Sequence, residues 1–144
     1  MIVNDQLLEQ AVELERLLPQ LARRLFALHP DDPTLELPVA QLRVCSVLQS
    51  GPSTMSTLAD ELGISMSAVT QIADRLERAG LVERVAEHDD RRMKRLVLTP
   101  HGVAVMSARL ERRVDRVAVA LDGLTMHRRD EVLCALRDLL NATS

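Results

Sequence analysis

Apolar residues recur at Leu7, Ala11, Leu14, Leu18, Leu21, Leu25 and Leu28, in alternating steps of four and three. Those steps hold one stripe on one face, so residues 5–28 are predicted to form a long, heptad-like helix. Pro19 falls inside it, removes a backbone donor and predicts a kink near Glu15. The run His29-Pro30-Asp31-Asp32-Pro33 then ends the helix in a loop. A shorter apolar helix follows over Val39 to Gln49, closed by Ser50-Gly51-Pro52. Thr54 can cap a third helix that reaches Leu62 and stops at Gly63. Ser65 can cap a fourth, from Met66 to Ala79, with Gly80 as its terminator.

The period then changes. Leu81 to Ala86 and Lys94 to Thr99 carry β-branched and apolar residues in strand-like order, and HDDRRM joins them as the tip of a hairpin. Thr99-Pro100 opens a fifth helix to about Leu121, with Val103, Met106, Leu110, Val114, Val117 and Leu121 on one side. Leu124-Thr125 starts a sixth, in which Val132, Leu133, Leu136, Leu139 and Leu140 are apolar. The fold class is therefore mainly α with a small β-hairpin. The first and last helices are too apolar to stand alone in a small monomer, and a second copy of the chain is the simplest partner for their stripes.

Composition narrows the function classes. With 144 residues, 47% hydrophobic and 27% charged, the chain suits one globular domain. No Trp or Tyr is present and Phe26 is the only aromatic residue, which argues against the stacking platforms that hold single-stranded nucleic acid. The start, MIVNDQLLEQ, lacks the pattern of a signal peptide, and no apolar run approaches the length of a membrane span. Two cysteines, Cys45 and Cys134, are too few for a disulfide framework, so a cytoplasmic location is expected. Net charge is −3, yet it is unevenly spread. Ser65 to Thr99 holds seven cations and six anions, whereas the remainder holds eleven and fifteen. A locally basic centre within acidic flanks fits a reader of DNA whose other surfaces do other work.

The most specific stretch is TLADELGISMSAVTQIADRLERAG, residues 57–80. Two short helices meet at Gly63, Ala59 is small where they cross, and Ile64 fills the corner. Val69, Ile72, Ala73 and Leu76 share one face and are predicted to pack inward. Ser67, Ala68, Thr70, Gln71, Asp74, Arg75 and Arg78 are left outward. Small and amide side chains near a helix start can approach base edges in a major groove. Gln71 suits bidentate contact with adenine, and Ala68 a thymine methyl. Ser67 and Thr70 suit bases or phosphates, and Arg75 suits phosphate. The amides at the Ser65 cap are free for an anion.

A hairpin directly after such a helix is a wing whose tip can enter the neighbouring minor groove. A guanidinium gains there from the negative potential of a narrow groove. Arg91 is the chosen tip residue, with Asp89 holding it extended; Arg92 and Lys94 are expected on phosphates, and Arg95 as a solvated residue at the loop's edge.

LADELGISMSAVTQIADRLERAGLVERVAEHDDRRMKRLVLTPHG resembles the winged helix-turn-helix of the multiple antibiotic resistance regulator (MarR) family. That pattern has the form LAxxLGxSxxxVTxxxDRLExxGLVxR, an Asp/Arg wing, then LTxxG. It is matched here by Leu58-Ala59, Leu62-Gly63, Ser65, Val69-Thr70, Asp74-Arg75-Leu76-Glu77, Gly80-Leu81-Val82, Arg84, Leu98-Thr99 and Gly102. The resemblance covers residues 35–144, and the first helix by character only. The family wing often reads Asp-x-Arg-Asp-x-Arg, whereas Glu87-His88-Asp89-Asp90-Arg91-Arg92 aligns in two ways, which leaves Arg91 and Arg92 as alternative tips. The resemblance implies a bacterial regulator, usually a repressor, acting as a homodimer on pseudo-palindromic double-stranded operators and answering to a small-molecule effector. It implies a DNA-binding lobe over 35–99 and dimerisation helices over 5–34 and 100–144. Dimer contacts are then expected at Leu7, Leu14, Leu18, Leu21, Val117, Leu121, Leu133, Leu136 and Leu140.

Other readings are weaker. No Ser-His-Asp set, phosphate loop or metal spacing has the needed context, so neither an enzyme nor a cofactor is expected. His29, His88, His101 and His127 are widely spaced, and no metal site is expected. A cysteine-based redox regulator would need an exposed, electropositive thiol. A winged module that binds protein instead of DNA would have no need of the wing cations and Arg75. Arg109, Arg112, Arg113 and Arg116 are read as a solvated face of the fifth helix, and some of these, or Arg16 or Arg43, stay open as effector contacts.

Overall fold

A computed structural model describes residues 4–30, 32, 34–87 and 93–143. The chain is mainly helical with one small antiparallel sheet, in the order α1 (Asp5–Leu25), α2 (Val39–Leu48), β1 (Ser53–Thr54), α3 (Met55–Leu62), α4 (Met66–Arg78), β2 (Val82–Ala86), β3 (Lys94–Leu98), α5 (Pro100–Asp122) and α6 (Met126–Ala142). It divides into two compact units, His29–Glu111 and the pair Met1–Leu28 with Arg112–Ser144.

The unit over His29–Glu111 is built around one core. Val44, Leu58, Val69, Leu76, Leu96 and Met106 are all essentially inaccessible, so α2, α3, α4, β3 and the first turns of α5 share a single apolar centre. The caps follow from local sequence. Thr54 accepts a hydrogen bond from the Thr57 amide at 3.2 Å, and Ser65 one from the Ala68 amide at 3.1 Å. Gly63, at φ 65° and ψ 35°, ends α3 in the left-handed region that an L side chain resists, which sets the sharp turn into α4.

The sheet has one strand more than the sequence predicts. β3 lies in the middle, with Val82 opposite Leu98 and Ala86 opposite Lys94 on one side, and Ser53 opposite Leu96 and Thr54 opposite Arg95 on the other. β1 is two residues long, too short for any period to show in the sequence. Gly102 marks where α5 leaves the sheet: a Cβ there would overlap the Leu81 carbonyl oxygen and lie 3.2 Å from Leu98 Cδ2.

The second unit contains α1, the later part of α5, and α6. None of the residues in α1 or α6 is buried. Asn4 caps α1 by accepting from the Leu7 amide at 2.6 Å. The helix passes through Pro19 and ends at Leu25, three residues short of the predicted end. The reason lies in α5. Arg113 stacks its guanidinium 4.0 Å from the centre of the Phe26 ring, and Arg116 donates to the Ala27 carbonyl, contacts that fasten the chain beyond the helix. Arg113 and Arg116 are therefore structural contacts, which corrects the solvated-face expectation for them. At the other end of α5, Arg129 Nε donates to the Leu121 and Leu124 carbonyls at 2.7 and 3.0 Å and closes the turn into α6.

Candidate nucleic-acid interface

α4 is sorted into two faces. Val69, Ile72, Ala73 and Leu76 are buried, while Ser67, Thr70, Gln71, Arg75 and Arg78 are exposed. Ala68, expected outward with them, is half-buried, as is Asp74. The outward hydroxyls differ in what they offer. Thr70 Oγ1 donates to the Met66 carbonyl at 3.0 Å, so its lone pairs are what it presents to a partner. Ser65 is spent as the cap, and the Met66 and Ser67 amides at the helix start remain unbonded among the described residues.

Charges in this region are also sorted. Arg84, on β2, reaches Asp74 at 2.7 Å and Glu77 at 3.3 Å, both on α4. Its pKa is raised above the usual guanidinium range, first by the hydrogen bond to Asp74. Arg95, half-buried on β3, pairs with Glu87 across the hairpin, which corrects its reading as a solvated loop residue. Three of the carboxylates of the basic centre are thus held by arginines of the sheet. Arg75, Arg78 and Lys94 are exposed and have no ion-pair partner among the described residues, so cationic charge is what this surface shows. Asp89, Arg91 and Arg92, expected at the wing tip, and His88 lie outside the described residues.

Pattern alone does not single out Arg84 as a functional residue. Its signal was present: side chains alternate along a strand, so Arg84 shares its face with buried Val82 and must point toward α4. Arg43 and Arg16, left open as effector contacts, are engaged locally. Arg43 donates to the Leu62 carbonyl at the end of α3 at 3.3 Å, and Arg16 pairs with Glu13 at 2.7 Å. Cys45 is 1% exposed, and burial pushes its thiol up to about 11, the opposite of the activation a redox sensor needs. Cys134 is exposed, with its sulfur 4.0 Å from an Asp138 carboxylate oxygen. Among the described residues no group of three His, Cys, Asp or Glu side chains could hold a metal ion, and no helix is long and apolar enough to cross a membrane.

Comparison with known proteins agrees with this geometry. Residues 42–94 match the MarR family. The HTH-type transcriptional regulator YfiV of Bacillus subtilis is 28% identical over 109 residues, covering 75% of this chain and 68% of YfiV. Among solved structures, the YusO protein of Bacillus subtilis is 27% identical, with a TM-score of 0.72 over 96% of this chain and 97% of that one. A MarR-like transcriptional regulator of Thermotoga maritima is 25% identical, with a TM-score of 0.80 over 92% and 96%. The matched segment contains α3, α4 and β2 whole, the elements that build the two-faced helix and its neighbouring strand. Residues 42–94 thus carry the match to the MarR family, and along most of its length the chain is similar to HTH-type transcriptional regulators.

Proposed function

We propose that the chain acts in the cytoplasm as a homodimer that reads a pseudo-palindromic operator in double-stranded DNA and represses transcription until a small-molecule effector releases it. The observation that carries this reading is the sorting of α4. One face is locked into the core, and the other offers hydroxyl, amide and guanidinium groups beside a hairpin. In this reading Ser67, Ala68, Thr70 and Gln71 meet the major groove, the amides at the Ser65 cap, Arg75, Arg92 and Lys94 meet phosphates, and Arg91, oriented by Asp89, enters the minor groove.

Dimerisation is supported by apolar surface left open in a single chain. Leu7, Leu14, Leu18 and Leu21 of α1, and Leu133, Leu136 and Leu140 of α6, are each more than a third exposed. Val117 and Leu121 of α5 are half-buried beside them in sequence pattern. A water-exposed leucine stripe gains roughly 1.5–3 kcal/mol per side chain when fully buried, and residues 5–34 with 100–144 supply it twice in a symmetric pair. Support for an effector comes from a mostly apolar recess of about 190 Å³ in the winged unit, bounded by Leu48, Gln49, Val97, Leu98, Val103 and Ser107.

The test is a footprint of the protein on the intergenic DNA upstream of its own gene, with binding measured at two salt concentrations. The reading expects two protected half-sites about one helical turn apart, or a multiple of it, and affinity that falls steeply with salt. Absence of any retained duplex at low salt would refute it.

A further inference from the structure

Asp74 and Glu77 pose a problem for a surface that meets a polyanion. Asp74 lies within about a turn of Gln71, Arg75 and Arg78 on α4, and Glu77 within a turn of Arg75 and Arg78, where bare carboxylates would repel the phosphates those residues approach. Both are close to half exposed, so burial does not remove them. Their spacing of three places them side by side on the helix. Arg84 answers both at once, with Nη2 2.7 Å from Asp74 Oδ1 and Nη1 3.3 Å from Glu77 Oε2. Its side chain is 23% exposed, so the guanidinium is set between strand and helix and not out in solvent. A lysine, with one ammonium and no fork, could not span the two carboxylates in this way.

The same contact fixes a direction. At the corner between α4 and β2, the Leu81 amide donates to the Leu76 carbonyl at 3.0 Å, and the Thr99 amide to the Leu81 carbonyl at 3.0 Å. Those bonds fasten only the root of the hairpin. Arg84 attaches β2 to α4 three residues farther out, and a strand held at two points has less freedom to pivot than one held at its root.

We propose that Arg84 is a positioning residue for duplex reading: one guanidinium aligns the wing strand with α4 and offsets one of the two negative charges beside the reading residues. This inference rests on the DNA-reading function proposed above. It assigns opposite electrostatic consequences to the two ways of breaking the contact. Arg84→Gln uncovers two anions, whereas Asp74→Asn with Glu77→Gln uncovers one cation. Both release the strand.

The test enriches duplexes from a random-sequence pool with the wild-type chain. It then compares the selected duplex with a scrambled one by fluorescence anisotropy, for wild type, Arg84→Gln and the double variant. Each is held at a temperature where circular dichroism shows it fully folded. In both variants the preference for the selected duplex should fall about tenfold. Affinity for the scrambled duplex should fall in Arg84→Gln and rise in the double variant. A contact that only stabilises the fold would leave the preference unchanged in folded protein, with the scrambled-duplex affinity following charge alone. If Arg84→Gln does not fold, the double variant, altered only at half-exposed side chains, carries the same measurement. Preference within about twofold of wild type in a folded variant overturns the proposal. Failure of the wild-type chain to enrich any duplex overturns the DNA-reading function itself, and this inference with it.

Discussion

A side-chain amide facing outward from a helix discriminates by what it leaves unsatisfied. Gln71 is exposed, with the acceptor-only hydroxyl of Thr70 beside it. Gln71→Ala is expected to relax sequence preference at one position per half-site by roughly 1–3 kcal/mol, as measured by selection from random duplexes; unchanged discrimination would remove it from base readout. Arg91→Ala should weaken operator binding in anisotropy while leaving the melting temperature where it was. Cys45 gives a prediction of a different kind. Its thiol titrates near 11 in the folded chain against 9.0 in the open one, so the folded state keeps a proton that the unfolded state loses. Stability from this group is present below about pH 9 and is lost as pH rises toward about 11. With no tyrosine and one lysine, few other side chains titrate there. Denaturant midpoints should decline across that window, and Cys45→Ala should flatten the decline.

At the scale of elements, α5 approaches the strand root closely at Gly102. Gly102→Ala drives a methyl group into the Leu81 carbonyl, a backbone atom that cannot swing aside, and should cost about 1–3 kcal/mol or more. Gly123→Ala meets nothing nearer than the Ala120 carbonyl at 3.4 Å and should be tolerated, so thermal melts of the two variants separate a packing role from a general dislike of change. The elements themselves were largely legible in sequence because their signals are local. Thr54, Ser65 and Thr125 each cap the helix that the pattern of apolar residues predicts, and Gly63 ends one where a stop is needed. What escaped depends on partners distant in the chain. β1 exists because Ser53 and Thr54 find β3 some forty residues on, and α1 stops at Leu25 where Arg113 and Arg116 hold Phe26 and Ala27. The reading face of α4 could be drawn from its period, but Asp74 could not be known as half-covered without Arg84 in place.

For the whole molecule, the proposed pairing of two chains makes operator affinity a matter of two half-sites engaged together. Leu14→Glu with Leu21→Glu places charge on the open stripe of α1, away from the core of the winged unit. Sedimentation should then show a single chain, and operator affinity should fall about 100-fold or more as the second contact is lost. A variant that stays dimeric would move the interface elsewhere. The arginine-rich composition has a practical consequence for such measurements. Seventeen of the eighteen basic side chains are arginines, and Lys94, the single lysine, stands exposed at the loop end of the hairpin, opposite Ala86. An acylating reagent that seeks side-chain amines therefore finds one address on the protein, beside the proposed groove contact. Shielding of that address by added duplex, read in a mass spectrum, would report occupancy without a label or a mutation.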